Sequence, residues 1–106
     1  MNTERLRQLN EFLKSEPDNV FIRYAIALEH RKSQPDSAEK MLEELLQSKP
    51  DYLPALQTVI TWKIESDKIE EARSLLVNRA IPLARKQGDV RALRELQTVL
   101  NELESA

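Results

Sequence analysis

Apolar residues recur at spacings of three and four along the whole chain, and no stretch keeps a two-residue alternation. That pattern predicts helices throughout and no half-buried strands. A first helix is expected over Thr3 to Ser15, with Leu6, Leu9, Phe12 and Leu13 on one side and Pro17 forcing a stop just beyond. Asp18 or Asn19 then caps a second helix, "VFIRYAIALEHRK". It is apolar around much of its circumference, with Phe21, Tyr24, Ala25 and Leu28 on one face beside Ile22 and Ile26. A helix of that kind is covered on more than one side.

The break at "SQPDS" supplies Ser33 or Gln34 as a cap and Pro35 at the first helical position, where its missing N–H costs nothing. The third helix points Ala38, Leu42, Leu45 and Leu46 inward and Glu39, Lys40, Glu43 and Glu44 outward. A fourth carries Leu53, Leu56, Val59, Ile60 and Ile64, with Pro54 in its first turn. Asp67 is expected to cap a fifth helix, whose inner face is Ile69, Ala72, Leu75, Leu76, Ala80 and Leu83. Pro82 removes the backbone bond to Asn78, so a kink or short break is expected there. Gly88 suits the left-handed residue past that helix, and Asp89 caps a sixth helix striped with Leu93, Leu96, Leu100 and Leu103.

Composition narrows the class. A chain of 106 residues fits one domain, 1-106, with one core. With 41% hydrophobic and 32% charged residues and a single glycine, it is neither membrane-embedded nor disordered. Cysteine is absent, which removes disulfides, thiolate metal sites and cysteine nucleophiles together. The N-terminal segment is charged throughout, unlike a secretory signal, and no apolar run reaches the roughly 20 residues a membrane span requires. A cytoplasmic location is the expectation. The formal charge of -2 gives no global attraction for nucleic acid or for an anionic membrane.

The chain also matches itself. A shift of 33 lays Leu9 on Leu42, Leu13 on Leu46, Ser15 on Ser48, Pro17 on Pro50, Asp18 on Asp51 and Ser33 on Ser66. A shift of 34 lays Ala38 on Ala72 and Leu42 on Leu76, so the "KSQPDS" turn is one residue shorter than its counterpart. A helix pair recurring at this period resembles the tetratricopeptide repeat family over nearly the whole length. Ala38 and Ala72 match the small residue where the two helices of a pair cross. Pro17 and Pro50 match the closing proline, and Ile26 and Val59 the large apolar residues of the first helix. The small residue that follows is kept as Ala27 and replaced by Ile60. Arg23 and Leu56 stand where an aromatic is usual, His30 and Lys63 where a tyrosine is usual, and the turn glycine is missing from both units.

The resemblance implies an all-α, right-handed superhelix of antiparallel helix pairs, similar to small bacterial stand-alone members of the family. Its parts would be a half repeat (1-16), two repeats (17-49 and 50-87, the second with a lengthened second helix) and a capping helix (89-105). Neighbouring pairs must stack, because one pair is too small to bury its own apolar face. By position, the concave groove would be lined by Phe21, Tyr24, Leu28, Arg31 and Lys32 from helix 2 and by Pro54, Gln57, Thr61, Ile64 and Glu65 from helix 4. An aromatic pair beside two cations suits an apolar anchor and an acidic group of a peptide. Alternatively, helix 1 or a second subunit covers Phe21 and Tyr24. Tyr24, Leu28, Gln57 and Thr61 replace the Lys and Asn side chains with which some members clamp a terminal carboxylate, so that clamp is not expected.

Other chemistry is thin. Arg79, Arg85, Lys86, Arg91 and Arg94 face one acid, Asp89, over a short span, while 36–51 is acidic. These runs are either complementary recognition faces or solvated surface, and solvated surface is the commoner meaning of such runs. Trp62 fills the core or, if exposed, marks an interface. His30 is the only histidine, which argues against a metal site. No glycine-rich phosphate loop and no Ser-His-Asp set is present, so no enzyme is expected and no cofactor. The expected function is protein–protein interaction, with a peptide or protein segment in the groove. The alternative is self-association through the terminal helices, as a homodimer. RNA recognition is disfavoured by the near-neutral charge.

Overall fold

A computed structural model describes residues 3–105 and places six helices in them. They are α1 (Thr3–Ser15), α2 (Val20–His30), α3 (Pro35–Ser48), α4 (Leu53–Glu65), α5 (69–87) and α6 (Val90–Ser105). The all-helical expectation holds across the described residues, which contain no strand. Met1 and Asn2, at the start of the expected half repeat, and Ala106 lie outside them. The chain forms two compact units, one up to Ala55 and one from Leu56 onward.

In the first unit, α1 lies against α2, and α2 against α3. Asn19 resolves the alternative at the start of α2: its Oδ1 accepts the Ile22 N–H at 3.0 Å. The turn into α3 stacks two donors on one acceptor, with Ser33 and Gln34 both donating to the His30 carbonyl at 3.2 and 2.8 Å. Gln34 precedes Pro35 without a side-chain cap bond, since proline at the first position leaves one donor fewer to satisfy. The core here is Ile22, Ala25, Ile26 and Ala27 of α2 with Ala38, Leu42, Leu45 and Leu46 of α3, all buried. Glu29 is buried among them, and its Oε1 accepts from Arg5 Nε of α1 at 2.8 Å. The apolar side of α1 is only partly covered. Its leucines Leu6, Leu9 and Leu13 are only half-buried, and Phe12 is 59% exposed. The apolar arc of α1 is wider than the face α2 covers.

In the second unit, α4 buries Leu56, Val59, Ile60 and Trp62, which settles Trp62 as a core residue. Asp67 does not cap α5 as expected. It has φ +62° and terminates α4: its own N–H donates to the Ile64 carbonyl, and the Lys68 N–H to the Lys63 carbonyl at 2.8 Å. This is the paired bond set of a helix closed by one left-handed residue. Lys68 then leads into α5 with no side-chain cap. Gly88 (φ +69°) and Asp89 repeat the closure at the end of α5, and Asp89 Oδ1 accepts the Ala92 N–H at 3.0 Å to start α6.

The break expected at Pro82 takes the form of a π-turn over Leu76–Ala80, inside α5. Here the Ile81 N–H reaches back to the Leu76 carbonyl. The widened turn just ahead of Pro82 makes room for a ring that would otherwise meet the Asn78 carbonyl. It also resets which residues point inward, so Ile81 and Ala84 are buried along with Ala72, Leu76 and Ala80. Lys63, another buried charge, joins α4 to α5 through Glu71 Oε1 at 3.2 Å. Arg73 joins α5 to α6 by donating to the Leu103 carbonyl at 3.4 Å.

Candidate functional site

The groove residues expected on α2 lie along its outer side. Phe21 is 65% exposed and Leu28 37%. Tyr24 is half-buried, its ring set edge-on to that of Tyr52 with centroids 5.6 Å apart. Burial, and then the neighbouring Tyr24 phenol, raise the pKa of Tyr52. Arg31 is half-buried, and Lys32 is exposed with Nζ 3.9 Å from Glu29 Oε2. Helix 1 therefore does not cover Phe21.

The residues expected on α4 come together in a cavity of about 290 Å³ between α4 and α6. Gln57, Thr61 and Ile64 line its α4 wall, joined by Glu65, while Pro54 is exposed and takes no part. Thr61 turns its hydroxyl back onto the Gln57 carbonyl at 3.1 Å. Ile60, Leu76 and Leu96 make an apolar floor, each almost fully buried. The opposite wall is Val99 with Glu95 and Glu102. Three carboxylates and no cation thus rim an apolar floor. Arg91, one turn away, donates to Glu95 at 3.2 Å. The α2 group and Pro54 belong to the first unit, and Gln57, Thr61, Ile64 and Glu65 to the second.

No family model matches the sequence, and no curated protein matches it either. Solved structures do. The solution NMR structure of a tetratricopeptide repeat domain protein from Salinibacter ruber is 30% identical with a TM-score of 0.76, over 84% of this chain and 90% of that one. The crystal structure of the tetratricopeptide repeat domain protein from the same organism is 31% identical with a TM-score of 0.71, over 82% and 97%. The chain belongs to the tetratricopeptide repeat family.

The family's marker residues now have physical roles. Ala38 and Ala72 are both at 0% exposure, as positions of close helix approach must be. Asp67 takes a left-handed backbone in a turn where the resemblance leads one to expect a glycine, while the shorter turn at Ser33 needs no left-handed residue. His30 lines a separate cavity between α1, α2 and α3, with Nδ1 buried and unpartnered. Among the described residues no cluster of three or more His, Asp or Glu is placed to hold a metal ion. No described helix is long and apolar enough to cross a membrane.

The sequence reading missed the α6 side of the cavity. Its Leu stripe reads as a cap, yet Glu95, Val99 and Glu102, spaced four and three apart, form a second stripe beside it. That spacing was the available signal.

Proposed function

We propose that this tetratricopeptide repeat chain is a protein-interaction module whose docking seat is the α4–α6 cavity. What supports this reading is one observation: Gln57, Thr61 and Ile64 line a cavity with a buried apolar floor and an anionic rim. An apolar side chain entering it leaves water for Ile60, Leu76 and Leu96, and each CH₂ so buried is worth about 0.8 kcal/mol. Lys or Arg beside that anchor would meet Glu102, in a rim that Glu65 and the Arg91-paired Glu95 complete. The occupant is therefore a protein segment with an apolar anchor flanked by cations. A nucleic-acid backbone would be repelled by the same rim.

The test is selection of random displayed peptides on the immobilised chain. Selected sequences should pair a Leu-, Ile- or Phe-type residue with Lys or Arg, and binding should weaken in Glu102→Lys and in Thr61→Arg. Binders that are acidic, or that bind both variants unchanged, would remove the cavity from the account. Self-association is the second reading, and a separate surface favours it.

A further inference from the structure

One edge of the α1–α2 pair is open and apolar. Residues seven apart on a helix differ by only about 20° in direction, so Arg5 and Phe12 share a stripe of α1, and Phe21 and Leu28 a stripe of α2. Arg5 reaches Glu29, the residue after Leu28, at 2.8 Å. The two stripes therefore border the same edge. On the opposite edge, Leu13 of α1 and Ile26 of α2 line a cavity of about 200 Å³ together with Met41 of α3. There α3 is the third wall. No described helix covers the first edge, where Phe12, Phe21 and Leu28 are 59%, 65% and 37% exposed. Ala25 of α2, which is buried, lies between the two stripes.

Its ends carry opposite charge. At one, Arg5 and Lys32, with side chains 56% and 63% exposed, flank the single carboxylate of Glu29. At the other, Glu16 and Asp18 are exposed in the turn between the helices.

We infer that this edge binds the same edge of a second copy of the chain about a two-fold axis. A two-fold contact requires a surface complementary to itself, so that residue i meets j while j meets i. An axis level with Tyr24 and Ala25 satisfies that condition. It sets Phe21 of one copy against Leu28 of the other, and turns the Lys32 end onto Glu16 and Asp18. Apolar meets apolar and cation meets anion twice over. A helix from an unrelated protein would have to reproduce both the apolar spacing and the charge order, whereas the chain carries them already. This surface is separate from the α4–α6 cavity and does not depend on the docking reading.

Sedimentation equilibrium across a concentration series tests it. The wild-type chain should reach dimer mass. Phe21→Glu, at an exposed position, should raise the dimer dissociation constant at least about tenfold with an unchanged helical circular dichroism spectrum. Asp18→Lys and Lys32→Asp should each weaken the dimer about tenfold, since each places like charges together twice. An equimolar mixture of those two variants restores both opposite pairs and should recover dimer mass. A wild-type chain that stays monomeric, a dimer indifferent to Phe21→Glu, or a mixture that stays weak would each overturn the two-fold contact. Saturable binding of a foreign helix by a wild-type monomer would assign the edge to another partner.

Discussion

The Lys68 N–H donates to the Lys63 carbonyl at 2.8 Å, and the residue between the end of α4 and Lys68 that permits it is Asp67, at φ +62°. A left-handed backbone costs an L-residue roughly 1–2 kcal/mol, less for aspartate than for a bulky side chain. Among the described residues that strain falls on Asp67 alone, and it is avoided at Gly88.

Asp67→Gly should therefore stabilise the fold by about 0.5–1 kcal/mol and Asp67→Val destabilise it by about 1–2 kcal/mol. Gly88→Ala should cost about 1 kcal/mol. No atom lies within 4 Å of a Cβ added at Gly88, so that loss comes from the backbone alone. Urea unfolding of the three variants measures it, and an unstrained Asp67 would show as no gain from glycine.

The wholly buried alanines Ala38 and Ala72 leave no room for a larger side chain. Ala38→Leu and Ala72→Leu should each lose about 1–3 kcal/mol or more through overpacking, while Ala→Ser at either position loses less. Denaturant midpoints at a constant m-value decide it.

Tyr52 makes stability depend on pH at the alkaline end. Burial first, and Tyr24 second, raise its pKa above the ordinary 10.0 in the folded chain. The neutral phenol is thus favoured by folding. Its contribution is complete below pH 10 and is lost as pH climbs through the raised folded value. Urea midpoints should fall more steeply above pH 10 in the wild type than in Tyr52→Phe. Equal slopes would mean that Tyr52 titrates alike in both states.

Most of the fold was legible because its signals are local. The proline punctuation, the apolar spacings and the two alanines each act within a turn or two of helix. α1 ends at Ser15 and Gly88 turns left-handed, as read from sequence. Legibility failed where a neighbour decides. Phe12 belongs to the apolar arc of α1 by spacing, but only the packing on α2 determines that it stays outside. Asp67 has the chemistry of an N-cap and equally that of a left-handed residue, and the end of α4 chooses between them. Nothing local marks Glu29 and Lys63 as buried charges, because their partners, Arg5 and Glu71, lie 24 and 8 residues away. The α4 half of the candidate site was visible by family position. The α6 half was not, since the Leu stripe supplies only Leu96 to the cavity and the fold alone shows that Glu95, Val99 and Glu102 line it as well.

The central claim is that the α4–α6 cavity receives a protein segment. Amide and methyl chemical-shift mapping of the isotope-labelled chain, titrated with a peptide selected on it, tests that most directly. The account predicts shifts concentrated at Thr61, Ile64, Leu96 and Val99 that saturate together, with Glu102→Lys weakening the titration. Shifts that leave those residues untouched would contradict it.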